Sequence, residues 1–141
     1  MECENCNNYF ITEYKINVLE KIIELFINCD KCTHETKFIV EIPTDYMKDK
    51  KIVPLHLLKY NYCGPYTNVI KNIVSNIKPY NEIDKQCMIH DLSYHMYKDE
   101  YLRSKSDSNL LNYLSNLNKK SISKHIISLV LDIKKKFINK E

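Results

Sequence analysis

The sequence predicts a mainly α protein in which an antiparallel helix pair with an ion-binding loop follows a small, cysteine-clasped β module. Three observations carry that expectation. Two Cys-x-x-Cys pairs bracket short apolar runs near the N-terminus, and apolar residues recur at helical spacing from about residue 81 onward. Between them, the only glycine of the 141 residues, Gly64, sits in Tyr62-Cys63-Gly64-Pro65. A chain that uses glycine once needs it there, because glycine alone adopts positive φ freely and lets a ligand approach the backbone closely.

The β module comes first. Cys3-x-x-Cys6 and Cys29-x-x-Cys32 are separated by 22 residues, a spacing suited to a four-thiolate structural zinc site. A pair of disulfides is the alternative. The start, Met1-Glu2-Cys3-Glu4, lacks a basic segment followed by an apolar stretch, so no secretory signal is visible, and synthesis inside the cell favours the metal. The runs Tyr9-Phe10-Ile11, Leu25-Phe26-Ile27 and Lys37 to Ile42 supply the short strands of a zinc-ribbon-like module over residues 1–43. Asn17 to Glu24 belongs to these strands or forms a helical turn or two. His34 reads as a surface residue rather than a substitute ligand.

Pro43 to Pro54, with Lys48-Asp49-Lys50-Lys51 between, reads as an exposed connection, here bounded as residues 44–53. The second module then spans 54–141. Beyond the Tyr62 loop and the stretch from Lys71 to Pro79, a helix is predicted from Asn81 or Ile83 to about Lys98, with Ile89, Leu92 and Met96 facing the core. Asp99-Glu100 starts the next, whose apolar side holds Leu110, Leu111 and Leu114. Ile122, Ile126, Val130, Ile133 and Phe137 form a third helical stripe.

A hydrophobic share of 44% fits a globular protein, and no apolar run approaches the roughly 18 residues of a spanning helix. Residues 118–141 carry seven lysines against Asp132 and Glu141, which leaves the rest of the +3 chain at −2. Such a segment suits an anionic surface, or simply a solvated helix face.

The chemistry lies around the predicted helical hairpin. The midpoint between His90 and Asp107 falls between Lys98 and Asp99, where one helix ends and the next begins. Residues equidistant from the turn of an antiparallel hairpin lie at the same height, so His90 and Asp107 can face each other. Asp107 would then fix the imidazole tautomer and free the other ring nitrogen to act as a general base. Tyr94, four residues after His90, shares its helical face and can donate to the same aspartate. Asp91 is rotated by about 100° and points to another neighbour, with Cys87 one turn earlier on its side. If Cys87 meets Cys63, as a disulfide or as packed thiols, the Gly64 loop is pinned beside Asp91. A carboxylate with several loop carbonyls is a hard-oxygen site that suits calcium. His95, beside the pair, reads as structural or exposed, His56 and His125 have no evident partner, and Arg103 reads as a helix ion pair with Asp107.

These residues bring a family resemblance with them. Tyr62-Cys63-Gly64-Pro65, Pro79-x-Asn81-x-x-Asp84, His90-Asp91-x-x-Tyr94 and Lys98-Asp99-x-x-x-Arg103-x-x-x-Asp107-x-x-Leu110-Leu111 together resemble the phospholipase A2 superfamily, in particular the domains of that kind in capsid proteins of parvoviruses and related viruses of invertebrates. The match covers about Leu57 to Leu117 and leaves the Cys-x-x-Cys pairs aside.

The resemblance implies a calcium-dependent hydrolase of phospholipid sn-2 esters. His90 would be the base, Asp107 its orienting partner and Tyr94 a catalytic neighbour. Asp91 with the carbonyls of Tyr62, Gly64 and Tyr66 would be the calcium ligands, and Cys63 and Cys87 match positions bridged in secreted members. It also implies a phospholipid membrane surface and capsid proteins as partners, and a virion or host intracellular location, with nucleic acid not expected. The chain departs from the family at Tyr66, where a second loop glycine is usual. A tyrosine at positive φ costs on the order of 1–3 kcal/mol unless the loop takes another path. That departure motivates the alternative of a catalytically weak or inactive scaffold whose zinc ribbon binds protein or nucleic acid.

Overall fold

A computed structural model describes residues 2–6, 11–46, 60–63 and 67–116. The chain divides into two units, Met1–Lys48 and Asp49–Glu141, each with its own interior.

The first unit is a three-stranded antiparallel sheet in the order β1-β2-β3, with β1 at Ile11–Val18, β2 at Ile22–Cys29 and β3 at Glu35–Glu41. Side chains alternate between the faces of a strand, and β2 follows that rule: Ile23, Leu25, Ile27 and Cys29 are buried while the residues between them are not. Register sets Ile23 opposite Val18 and Val40, and Leu25 opposite Ile16 and Phe38, so one face collects the apolar residues. Burying each such side chain contributes roughly 1.5–3 kcal/mol. The helical alternative for Asn17 to Glu24 is overturned. These residues are the end of β1, a turn in which Leu19 N donates to Ile22 O at 2.9 Å, and the start of β2. Val18, Ile22 and Ile23 are β-branched and fit a pleated surface better than a helix. The strand β1 starts at Ile11; Tyr9 and Phe10 lie outside the described residues.

The second unit contains α1 (Val69–Val74), α2 (Glu82–Met96) and α3 (Glu100–Ser115). The helix α1 falls partly in the stretch from Lys71 to Pro79, to which the sequence reading assigns no element, and six residues are too few to show a period. It is fixed by its ends. Asn68 accepts from Lys71 N at 3.1 Å, and past the C-cap Asn76 N donates to Ile73 O and Ile77 N to Asn72 O, both at 2.9 Å. This is a Schellman ending whose positive-φ position, normally glycine, is taken by Asn76 at φ 60°. Val69, Ile70 and Ile73 are buried, and α1 packs on α2.

The helix α2 is capped by Asn81 and α3 by Asp99, each accepting from the backbone N–H three residues on. Ile83, Met88, Ile89 and Leu92 of α2 and Leu110 and Leu114 of α3 are buried, whereas Met96 and Leu111 are only half-buried. The short link Tyr97–Asp99 returns the chain so that α3 packs on α2. Among the described residues, no helix is long and apolar enough to cross a membrane. The predicted stripe from Ile122 to Phe137 and most of the predicted 44–53 connection lie outside them.

Candidate active site and metal centre

The fold brings His90 and Asp107 together. His90 Nε2 lies 2.6 Å from Asp107 Oδ1, and the Tyr94 hydroxyl donates to Asp107 Oδ2 at 2.6 Å. Asp107 is fully buried and His90 nearly so. Both carboxylate oxygens are thus engaged by α2, which compensates the burial of that charge. Burial, then the hydrogen bond to Asp107, pushes the Tyr94 hydroxyl well above the ordinary tyrosine range, so it remains a donor. The rings of His90 and Tyr94 are tilted against each other with centroids 4.9 Å apart.

On the other side of the imidazole, His90 Nδ1 lies 3.3 Å from Asp91 Oδ1. Burial works against a charged ring, but the hydrogen bonds and charges of Asp107 and Asp91 outweigh it and raise His90 to about 9. With both carboxylates facing it, the ring carries its proton at neutral pH. Asp107 holds the buried nitrogen and Asp91 the other.

Arg103 does not form the helix ion pair expected of it. Its Nε donates to Tyr97 O at 2.7 Å and its Nη2 to Tyr94 O at 2.8 Å, with the guanidinium over the Tyr94 ring at 5.0 Å. Asp107 is already committed to α2, and the last carbonyls of that helix need donors. His95 is exposed, as read from the sequence.

The approach to the loop is held from α2. Cys63 and Cys87 form a disulfide, and Cys87 is one turn before Asp91. Tyr62 is buried, with its hydroxyl donating to Ile77 O. A family profile for the phospholipase A2-like domain matches residues 53–134, more than half of the chain. The chain belongs to that family. No curated protein and no solved structure matches it.

For a phospholipase A2-like chain, an oxygen-ligated cation at Asp91 is the first test. The described donors fit one. The Asp91 carboxylate keeps 29% of its side-chain surface, and the disulfide ties the Tyr62-Cys63 backbone to the helical turn beside it. Carboxylate and carbonyl oxygen are hard ligands suited to calcium. Gly64 and Tyr66 lie outside the described residues, as do His56 and His125.

A residue with no role in the sequence reading proves central here. Asp84, fully buried, accepts from Tyr62 N at 2.8 Å and Cys63 N at 3.0 Å on Oδ1, and from Asn61 N at 2.9 Å and Tyr80 N at 2.8 Å on Oδ2. Its position three residues after Asn81 reads locally as a helix-capping pattern, which hides the longer reach.

In the first unit, the sulfur atoms of Cys3, Cys6, Cys29 and Cys32 all lie within 4.8 Å of one another. Cys3 and Cys32 approach to 3.5 Å, as do Cys6 and Cys29. Four thiolates at about 2.3 Å from one tetrahedral ion would stand roughly 3.8 Å apart, so the cluster can hold a metal ion. Hydrogen bonds from the Asn5 side chain and the His34 backbone pull the Cys32 thiol below its usual range. The second knuckle turns on Thr33 N to Cys29 O at 3.0 Å and sets Thr33 at φ 61°, an uncommon value for a β-branched residue. His34 stays outside the cluster and pairs with Glu4 at 2.6 Å.

Proposed function

We propose that this chain is a calcium-dependent phospholipase A2 that hydrolyses the sn-2 ester of membrane phospholipids. One observation carries the reading: a nearly buried imidazole with Nε2 at 2.6 Å from a carboxylate that also accepts from a tyrosine. In the reacting tautomer, Nε2–H donates to Asp107 Oδ1 and Nδ1 is a free base. Nδ1 takes a proton from water as the water oxygen attacks the ester carbonyl. The same proton then passes from Nδ1 to the departing lysophospholipid oxygen, which releases the fatty acid and restores neutral His90. Asp107 stays ionised throughout and steadies the transient imidazolium, while Tyr94 occupies its second oxygen.

Asp91 with the carbonyls of Tyr62, Gly64 and Tyr66 would hold the calcium. When bound, calcium supplies Lewis-acid polarisation of the ester carbonyl and stabilises the oxyanion. Asp91 engaged as a ligand would no longer offer its carboxylate freely to Nδ1, which removes one of the two hydrogen bonds that raise His90 and so favours the free base.

The all-sulfur donor set of the first unit supports structural zinc there. The likeness of the Tyr62-Cys63-Gly64-Pro65 and His90-Asp91-x-x-Tyr94 motifs to capsid-borne domains supports use in membrane penetration by a virus, with capsid proteins as partners and the virion as location.

Fatty-acid release from phospholipid vesicles, with and without calcium, tests the reading. The wild type is expected to release fatty acid only with calcium, and His90→Ala to lose at least 100-fold of that rate. Tyr66→Gly is expected to raise calcium affinity. If the wild type and Tyr66→Gly both release nothing at millimolar calcium, the enzyme reading gives way to an interaction module on a phospholipase-like scaffold.

A further inference from the structure

The carboxylate of Asp84 is sealed from solvent, yet among the described residues no cationic side chain pairs with it. All four groups on it are backbone N–H groups, three of them consecutive, from Asn61, Tyr62 and Cys63, and the fourth from Tyr80. A carboxylate committed in this way fixes peptide planes. The N–H of one residue and the C=O of the residue before it belong to one planar trans unit and point in opposite directions. Holding Tyr62 N–H therefore turns the Asn61 carbonyl away from Asp84. That carbonyl accepts from Asn72 Nδ2 at 2.8 Å. Holding Cys63 N–H by the same logic turns the Tyr62 carbonyl away from the buried carboxylate.

We propose that Asp84 is a positioning residue that sets the Tyr62 carbonyl for the cation, an inference that rests on the calcium reading above. Three further ties surround the segment: the Cys63–Cys87 disulfide, the Tyr62 hydroxyl on Ile77 O, and the Asn61 side chain on Lys78 O at 2.8 Å. None of them acts on the plane of the Tyr62–Cys63 peptide. Asp84 does, through Cys63 N. It shares no hydrogen bond with His90 or Asp107, so its loss acts on the ligand geometry and leaves the base in place.

The test compares full-length wild type with Asp84→Asn, in which an amide NH2 replaces one acceptor and opposes the backbone donors. Calcium affinity is read by calorimetric titration with calcium chloride, amide hydrogen exchange is followed at Asn61, Tyr62, Cys63 and Tyr80, and hydrolysis is measured across calcium concentrations. Orienting groups behind metal ligands typically contribute 10–100-fold in affinity. The variant is expected to bind calcium 10–100-fold more weakly and to exchange those four amides faster. Its hydrolysis should return to within about threefold of wild type at saturating calcium, a rescue that general unfolding would not show. Should Asp84→Asn fail to fold, Asp84→Glu, which keeps the charge but moves the oxygens by one methylene, is expected to show the same split. Unchanged calcium affinity in a folded variant overturns this inference alone. A wild type that binds no calcium overturns the calcium reading and this inference with it.

Discussion

Asp107 is the residue on which the candidate site balances, because one fully buried carboxylate serves two donors from the neighbouring helix. Asparagine in its place retains the shape but offers His90 either an amide NH2 or a weaker acceptor, and the ring loses the partner that fixes its tautomer. Hydrolysis by Asp107→Asn is expected to fall by about 10²–10⁴-fold, the range of general-base catalysis, with calcium affinity unchanged. A loss below tenfold would remove the orienting role. Tyr94→Phe makes a contrasting case. It deletes one hydrogen bond to a charged group, worth about 1.5–3 kcal/mol, but leaves Oδ1 on the imidazole. Thermal unfolding should shift down while hydrolysis stays within about tenfold, and a larger catalytic loss would assign Tyr94 a part in the chemistry itself. The pairing of His90 with Asp107 was legible from their equal distance to the predicted turn. The second carboxylate on His90 was not, because helical phase separates Asp91 from it while side-chain flexibility brings Oδ1 back to 3.3 Å.

Helix ends explain where the sequence was and was not readable. Asn81 and Asp99 are side-chain caps whose signal is local, so the starts of α2 and α3 were read within a residue or two. The C-terminal end of α2 has no such signal. The chain's single glycine is spent elsewhere, and donors for the last carbonyls come from Arg103, across the turn on the next helix. A contact between elements leaves no mark on local spacing, and Arg103 four residues before Asp107 resembles an ordinary ion pair. Arg103→Lys distinguishes the two roles. A single ammonium cannot reproduce two directed N–H bonds and a stack on Tyr94, so it is expected to destabilise the chain by about 1–2 kcal/mol. A lysine variant as stable as wild type in chemical denaturation would show that charge alone suffices. Asp84 was hidden by the same local logic, since Asn-x-x-Asp at a helix start reads as a cap.

At the scale of the whole molecule, six cysteines divide four to two, and the division follows the two units. Cys63 and Cys87 are bridged in the second, whereas Cys3, Cys6, Cys29 and Cys32 of the first form no disulfide. This separation was legible because paired Cys-x-x-Cys spacing is a property of sequence alone; the path of Asn17 to Glu24 was not, because it depends on which face of the sheet is covered. A unit of this size has too small an interior to be stable on apolar burial alone and commonly relies on a metal or crosslinks. Apparent binding of structural zinc by four thiolates contributes on the order of 10–16 kcal/mol near neutral pH, more than the roughly 4.5–9 kcal/mol from burying Ile23, Leu25 and Val40 together. Zinc is therefore expected at one ion per chain by elemental analysis, and Cys29→Ser is expected to lose it along with the β-sheet signal in circular dichroism. Catalysis should separate from this loss. His90, Asp91, Tyr94 and Asp107 all lie in the second unit, so the same variant at saturating calcium should hydrolyse phospholipid within about threefold of the wild-type rate. Purified protein with no zinc and with Cys3, Cys6, Cys29 and Cys32 in disulfides would overturn the metal assignment. A Cys29→Ser variant that keeps its sheet but loses hydrolysis would instead show that the thiol cluster serves the reaction and not the fold.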